Sequence, residues 1–143
     1  MRRTELAVCI REKAVCWAIG IVPAIEIDVM GIGPSNRLAM ELAIAGLSAV
    51  PDFVLLDAFT CDCEHPQAGL IDGDAISTSI AAASILAKTE RDLIMHSAHE
   101  THAMYGFDRH VGYGTADHLL ALRTYGPCDL HRRTFRGVLP KVL

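Results

Sequence analysis

The 143-residue sequence has no apolar run long enough to cross a membrane, and it has few glycines and prolines, eleven and six. The first absence argues against a membrane protein, because a spanning helix needs about 20 consecutive apolar residues. The second, with 51% hydrophobic and 21% charged residues, argues against a disordered or fibrous chain. Met1-Arg2-Arg3 leads into Thr4 and Glu5 rather than an apolar signal core, so we expect a cytoplasmic protein of one domain.

The cysteines are too irregularly spaced and odd in number for a disulfide framework. A chain of this size is able to form a core without cross-links, so reduced thiols are expected. Cys61-x-Cys63 lacks the second cysteine pair of a zinc site, which favours simple loop thiols. The five cysteines are Cys9, Cys16, Cys61, Cys63 and Cys128.

No lysine or arginine lies between Arg37 and Lys88, although this stretch is rich in carboxylates. Solvated loops would explain such unpartnered acids. A divalent-metal site beside a basic surface would explain them too, and phosphodiester chemistry requires that arrangement. Residues 88–143 supply the opposite charge, with eight basic against six acidic residues and six of the seven histidines. The acids of the stretch include Asp52, Asp57, Asp62, Glu64, Asp72 and Asp74.

Hydrophobic periodicity predicts helices that alternate with strands, and therefore an α/β layer fold with parallel pairing. Ser35 and Thr115 are predicted N-caps, and the alanine-rich first half of the longest helix is expected to be buried on most sides. Only two or three strands are found, so something else should cover the sheet edges. Helices are predicted over 4–14, 24–30, 35–47, 77–102 and 115–125, strands over 15–22 and 53–57, a short extended piece at 70–71, and an ordered loop over 105–114.

Two acids are predicted to lie near one edge of the sheet. Asp57 ends the strand over 53–57, and Asp74 follows Gly73, which would permit a tight turn before the long helix. Ligands of open α/β sheets bind at the carboxyl ends of strands. A turn role would explain Asp57 alone, and a helix-cap role would explain Asp74 alone. Together the two carboxylates could share one Mg²⁺ or Mn²⁺.

Other polar residues are better explained without a metal. Asp92 would lie about 27 Å from Asp74 along a continuous helix, so a salt bridge to Arg91 or the basic tail is expected. A zinc site is conceivable for three histidines spaced three residues apart, but no acid or cysteine completes it at the usual spacing. Toleration of histidine at a helix end is therefore the favoured interpretation of His96, His99 and His102.

Several sequence blocks occur in an order that covers nearly the whole chain. They are Glu26-Ile27-Asp28, Ala39-Met40, Phe53-Val54-Leu55-Leu56-Asp57, Gly73-Asp74-Ala75, Ile80-Ala81-Ala82-Ala83-Ser84-Ile85-Leu86-Ala87-Lys88, Arg91-Asp92, Tyr105-Gly106-Phe107, His110-Val111-Gly112-Tyr113-Gly114-Thr115, His118, Gly126 and His131-Arg132-x-x-Phe135. This series resembles the ribonuclease HII family. The Ala-Ala-Ala-Ser-Ile-Leu-Ala-Lys and Gly-Tyr-Gly-Thr blocks make the resemblance specific.

The resemblance implies an α/β, ribonuclease H-like fold that is incomplete here. The family's Asp-Glu-Ala-Gly-Arg-Gly strand and Gly-Pro-Val segment do not occur in this sequence. We therefore expect residues 1–143 to form a partial catalytic domain, its C-terminal portion, with a small mixed sheet flanked by helices and the first strands missing. Of the family's four active-site carboxylates, Asp57 and Asp74 match two, as catalytic and metal-binding residues.

The function that the resemblance implies is hydrolysis of the RNA strand of RNA–DNA hybrids, and cleavage 5′ to ribonucleotides embedded in DNA, as in DNA repair. The family uses two Mn²⁺ or Mg²⁺ ions, and this chain, with half the carboxylates, should be impaired. Tyr113 matches a residue that contacts the ribose. A monomer without an obligate protein partner is expected at full length. Phosphate contacts would come from Arg132, Arg133, Arg136 and Lys141.

Three alternatives stay open. An ordinary basic terminus would also explain the tail. The chain as a whole would also fit a catalytically inactive module that binds hybrids or another partner. A phosphohydrolase of an unrelated family with the same acids is disfavoured by the block-by-block match.

Overall fold

A computed structural model describes residues 3–139, which fall into two compact units. The first unit contains residues 3–22 and 33–90, and the second contains residues 23–32 and 91–139. No helix in the described range is long and apolar enough to cross a membrane. The elements are α1 (Arg3–Lys13), α2 (Ala24–Met30), α3 (Ile32–Ala45), β1 (Val54–Asp57), β2 (Gln67–Leu70), α4 (Gly73–Ile76), α5 (Thr78–Thr101), a 3₁₀ turn (Ala103–Tyr105), α6 (Phe107–His110) and α7 (Ala116–Tyr125).

The sheet of the first unit pairs β1 with β2 in parallel, as predicted. Val54 and Leu56 are buried, whereas Leu55 and Asp57 are exposed, so the side chains of β1 alternate as a strand requires. The buried pair packs with Cys61 in the core of this unit. Within residues 3–139 the sheet has no antiparallel pair, so the mixed sheet expected from the resemblance is not seen there.

Strand β2 is longer than the extended piece predicted at 70–71. Its sequence, Gln67-Ala68-Gly69-Leu70, has no β-branched residue and no alternation that marks a strand. Pairing with β1 extends it to Gln67, which faces Val54 across the ladder. Long-range pairing therefore decides this element, and a local pattern does not reveal it.

The strand predicted over 15–22 is wrong. None of the described strands pairs with this segment, which is irregular, and Val15 is 96% exposed. The segment instead passes close to α3, because a Cβ on Gly20 would lie 1.8 Å from the carbonyl oxygen of Ala39. An apolar run favours extended backbone, but it becomes a strand only where a partner completes its hydrogen bonds.

The helices over 24–30 and 115–125 agree with the prediction. The hydroxyl of Thr115 caps α7 by accepting from the amide of His118 at 3.3 Å. The Ser35 cap is wrong: Ser35 lies inside α3 and is 2% exposed. Helix α3 begins earlier, at Ile32, because Pro34 falls in the first turn, where its missing N–H costs nothing.

The helix predicted over 77–102 is confirmed as α5, Thr78–Thr101. Ser77 is extended, with φ −121° and ψ 119°, and separates α5 from the short helix α4 before it. The expected burial of the first half of α5 on most sides is wrong, since Ala83 and Ala87 are exposed. Alanine favours the helix through its backbone propensity, and this property does not require burial. The buried residues of α5 are Ile80, Leu86 and Thr89.

The core of the second unit consists of Tyr105, Phe107, Ala121 and Leu122. The rings of Tyr105 and Phe107 stack with centroids 5.3 Å apart, and the Tyr105 hydroxyl donates to the carbonyl of Gly126 at 2.7 Å. The ordered loop predicted over 105–114 therefore begins inside this core and includes the short helix α6. Its exposed end carries Tyr113.

Candidate active site

Asp57 and Asp74 stand on adjoining elements of the first unit. Asp57 ends β1, and its Oδ1 accepts a 3.0 Å hydrogen bond from the amide of Gly73, the first residue of α4. Asp74 comes next in that helix, and both carboxylates are exposed. The chain therefore brings the predicted pair of acids to the carboxyl end of the same strand.

Position 73 requires glycine because a side chain would not fit there, and not because a turn needs a positive φ at this residue. A Cβ at this position would lie 2.7 Å from Cδ1 of Ile80 and 3.2 Å from Oδ1 of Asp57. The left-handed residue of the turn is Asp72, with φ 53°, so the tight-turn role predicted for Gly73 falls one residue earlier. The absent side chain lets the backbone come close enough to donate to Asp57.

Unusual backbone conformations lie next to Asp57, Asp74 and Tyr113. The described non-glycine residues with positive φ are Ala58 at 64°, Asp72 at 53° and Val111 at 42°. Ala58 directly follows Asp57, Asp72 directly precedes Gly73-Asp74, and Val111 directly precedes Gly112-Tyr113. Left-handed conformation is costly for a β-branched valine, and such strain concentrates at functional sites.

The two carboxylates fit part of a divalent-metal shell. Carboxylate oxygens are the hard donors that Mg²⁺ and Mn²⁺ take, and Mg²⁺ keeps several waters when only one or two carboxylates bind it. Within residues 3–139, no group of three or more His, Cys, Asp or Glu residues is placed to hold a metal ion. The donors contributed by Asp57 and Asp74 therefore suit a weak, largely hydrated ion.

Tyr113 lies in the second unit and presents an exposed ring. The guanidinium of Arg91 lies 4.9 Å from the ring centroid, and the Tyr113 side chain is 57% exposed. This cation–π contact joins α5 to the loop. The sequence did not predict this contact, because Arg91 and Tyr113 are 22 positions apart. The only signal for Arg91 was its place in the Arg91-Asp92 block of the family resemblance. Asp92 lies beside Arg91, with Oδ1 3.9 Å from Nη1, as the salt-bridge interpretation expected.

The basic turn after α7 is held by Asp28 of α2. The carboxylate of Asp28 accepts from the amide of Arg133 at 2.7 Å, and from the amide and hydroxyl of Thr134 at 2.9 and 2.6 Å. The Thr134 hydroxyl is the main reason why the pKa of Asp28 is lowered. Arg133 and Arg136 are exposed, so their guanidinium groups face solvent.

Arg132 differs from its neighbours. Its guanidinium lies 3.6 Å from the ring centroid of Phe135, and burial, followed by the charge of Arg91, lowers its pKa. This packing fixes one of the three arginines while the other two stay accessible. Lys141, the fourth predicted phosphate contact, lies outside the described residues.

The histidines and cysteines considered for zinc have other surroundings. Nδ1 of His99 lies 3.2 Å from Oδ1 of Asp108, and the ring of His102 contacts the hydroxyl of Thr101 at 2.8 Å. The described cysteines are free thiols, and burial, with a contribution from Cys63, raises the pKa of Cys61 to about 11. A thiol with such a pKa is a poor ligand at neutral pH.

A buried histidine cluster in the second unit was missed by sequence reasoning. His110, His118 and His131 are each 7% exposed or less, and they line the core around Phe107. Their spacings of eight and thirteen residues follow no helix or strand period. All three histidines occur in the sequence blocks of the family resemblance, but the blocks do not indicate that these histidines contact one another.

The comparisons with known proteins agree with these motifs. The profile of the family described as Ribonuclease HII matches residues 1–138. Ribonuclease HII of Geobacillus thermodenitrificans is 50% identical over 137 residues, which make up 96% of this chain and 53% of that protein. Ribonuclease HII of Shouchella clausii is 51% identical over 138 residues, 96% of this chain and 53% of the relative. Ribonuclease HII of Chlamydia caviae is 47% identical over 131 residues, 92% of this chain and 62% of the relative.

These similarities place the chain in a family of ribonucleases. The chain belongs to the ribonuclease HII family. It spans about half the length of the first two curated relatives.

Proposed function

We propose that this chain is part of an endonuclease that hydrolyses the RNA strand of RNA–DNA hybrids and cuts 5′ to ribonucleotides embedded in DNA. The observation that carries the proposal is the hydrogen bond from Gly73 to Asp57, which joins the two acid-bearing elements. The family membership supports the same reaction class.

The acid pair supplies the chemical part of the proposal. Asp57 and Asp74 would hold a divalent cation, Mn²⁺ or Mg²⁺, which in such sites activates water and stabilises the leaving oxygen. Asp57 is oriented for this role by the amide of Gly73, which fixes one carboxylate oxygen. Asp74 is the second residue of α4, whose first residue is that same glycine.

Residues of the second unit supply the recognition part. Tyr113 would contact the sugar that carries the 2′-hydroxyl, the group that distinguishes RNA from DNA. Arg133 and Arg136, exposed on the turn that Asp28 holds, and Arg132, fixed against Phe135, would bind phosphates. Such contacts add affinity that falls as salt rises.

Residues 1–143 act in this proposal as a partial catalytic domain. The resemblance implies four carboxylates, and the sequence contains no Asp-Glu-Ala-Gly-Arg-Gly to provide the other two. Cleavage by this chain alone should therefore be weak, because two carboxylates leave the ions poorly held at the scissile phosphate. We place the active protein in the cytoplasm, as a monomer that needs no protein partner.

The test is cleavage of a labelled DNA duplex that carries one ribonucleotide, in Mn²⁺ and in Mg²⁺. The 143-residue chain should cut little, and the chain extended by a segment with Asp-Glu-Ala-Gly-Arg-Gly should cut 5′ to the ribonucleotide and leave a 3′-hydroxyl. Asp57→Asn or Asp74→Asn should abolish that activity. An extended chain that binds the duplex but never cuts it would overturn the proposal in favour of a binding module.

A further inference from the structure

Two buried histidines of the second unit, His118 and His131, belong to one chain of hydrogen bonds, and the third, His110, stacks on it. Nε2 of His118 lies 3.0 Å from Nε2 of His131, and the ring of His118 stacks on that of His110 with centroids 4.5 Å apart. At one end, Nδ1 of His118 lies 2.9 Å from the carbonyl oxygen of Tyr113. At the other end, Nδ1 of His131 meets the amide of Cys128 at 3.0 Å and its sulfur at 3.2 Å.

The contacts fix one ring proton directly and the others for neutral rings. A carbonyl only accepts, so Nδ1 of His118 carries a proton, and in the neutral ring its Nε2 is an acceptor. Nε2 of His131 then donates to His118, which leaves Nδ1 of His131 free to accept from the amide of Cys128. In His110, Nδ1 accepts from the amide of Gly112 and Nε2 donates to the carbonyl of Tyr105.

The chain of hydrogen bonds ends on the loop over 111–113, whose backbone is strained. Val111 is strained at φ 42° and is followed by Gly112 at φ 79°, so the backbone before Tyr113 is held in costly conformations. The Tyr113 carbonyl accepts from both His118 and the amide of Thr115, at 2.9 and 2.8 Å. Two donors on one carbonyl fix the peptide from which the exposed ring projects.

We infer that His118, supported by His131, is a positioning residue for Tyr113. The inference rests on the proposed role of Tyr113 at the ribonucleotide. His118 does not touch the substrate. It holds the backbone of the residue that does, so its loss lowers the preference for a ribonucleotide more than it lowers affinity for the duplex.

Protonation of His118 leaves its bond to Tyr113 in place, because Nδ1–H still donates to that carbonyl. The second proton, on Nε2, would face Nε2 of His131, which accepts it only if Nδ1–H of His131 donates instead to the carbonyl of Cys128 at 3.3 Å. The other titratable groups against the pair are His110 stacked on His118, Tyr105 with its ring centroid 4.9 Å from that of His131, and the thiol of Cys128. His102 adds a repulsive charge, and burial is the largest cause lowering the pKa of both His118 and His131.

Two histidine substitutions separate positioning from packing. Asn places its amide N–H where Nδ1–H of histidine lies, so His118→Asn keeps the bond to Tyr113 and no longer titrates. Gln places its polar group near Nε2, so His118→Gln loses that bond. His96→Gln changes an exposed histidine of α5 and serves as the control.

The assay is fluorescence anisotropy of the 143-residue chain, without divalent ions, on a duplex with one ribonucleotide and on the same all-DNA duplex. The ratio of the two Kd values should fall about tenfold in His118→Gln, the size of one lost hydrogen bond, and stay near wild type in His118→Asn and His96→Gln. An unchanged ratio in His118→Gln would overturn the inference.

A second readout needs no substrate. Side-chain ¹⁵N spectra of the free chain should show the Nδ1–H tautomer for His118 and the Nε2–H tautomer for His131, and the ¹³C shift of the Tyr113 carbonyl should change in His118→Gln. If wild-type protein shows no ribonucleotide preference, the proposed function of Tyr113 fails, and these spectra still decide the inference. The opposite tautomers, or an unchanged carbonyl shift, would refute it.

Discussion

The amide of Gly73 donates a 3.0 Å hydrogen bond to Oδ1 of Asp57. This bond joins the end of β1 to the start of α4, so Asp74, the next residue along, stands at the same edge of the sheet. The bond depends on a residue without a side chain, because Ile80 and Asp57 occupy the space that a Cβ would need. Asp57, Gly73 and Ile80 therefore form one packing unit, and Asp74 follows it directly in the chain.

Gly73→Ala should destabilise the first unit by about 1–3 kcal/mol, because the new methyl group overlaps Cδ1 of Ile80. Urea unfolding measures the loss. Adding Ile80→Val removes the overlapping atom, so the double variant should be more stable than Gly73→Ala alone. Gly33→Ala is the matched control: a Cβ there has no neighbour within 4 Å, and alanine should gain up to about 1 kcal/mol in the helix. Equal effects at both glycines would contradict the packing described.

Mn²⁺ should bind weakly to the 143-residue chain, since two carboxylates leave most of an octahedral shell to water. Isothermal titration should give a dissociation constant that rises beyond detection in Asp57→Asn and in Asp74→Asn. Asp52→Asn, which neutralises an exposed acid ahead of β1, should leave the titration unchanged. A tight site that survives Asp57→Asn would mean that the metal ligands lie elsewhere.

The second unit should lose stability in mild acid. The pKa of His118 and that of His131 are lowered in the folded protein, so the unfolded chain takes up protons first as the pH falls. Stability is therefore complete above the unfolded pKa of about 6.5 and falls below it, by at most about 1.4 kcal/mol per pH unit for each imidazole. Urea unfolding at pH 7.5 and 5.5 measures this. His96→Gln should keep the slope, and a stability that is flat or rises toward pH 5.5 would contradict the neutral pair.

Asp28→Ala should release the basic turn. The amides of Arg133 and Thr134 lose their acceptor, so their hydrogen exchange should speed up while that of α7 stays slow. Glu26→Ala removes another carboxylate of the same helix and is the control. Because the pKa of Asp28 is lowered in the folded protein, its contribution persists above the ordinary carboxyl pKa and fades as the pH falls through the lowered value. Unchanged exchange in Asp28→Ala would show that the turn is held by other contacts.

Local signals account for the parts of the fold that were predicted. α7 has a Thr115 cap and a Gly126 stop, α2 follows Pro23, and β1 is a short apolar run that ends in an acid. Each of these features depends on residues a few positions apart. The rule that ligands bind at the carboxyl ends of strands points to Asp57, and the hydrogen bond from Gly73 brings the start of α4, with Asp74, to the same strand end.

Non-local contacts account for the errors and omissions. β2 exists because β1 pairs with it, and the segment over 15–22 is not a strand because none of the described strands pairs with it. The contact of Asp28 with Thr134 spans 106 positions. The His118–His131 bond joins residues 13 apart through the core, with no sequence period to indicate it.

The most direct test of the account is a double-mutant cycle on cleavage by the chain extended with Asp-Glu-Ala-Gly-Arg-Gly. If Asp57 and Asp74 act as one unit, Asp57→Asn and Asp74→Asn should each lower kcat/KM by about a thousandfold or more, and the double variant should be no worse than either. Losses that simply add, or near wild-type cutting by either single variant, would contradict the claim that these two acids share one catalytic site.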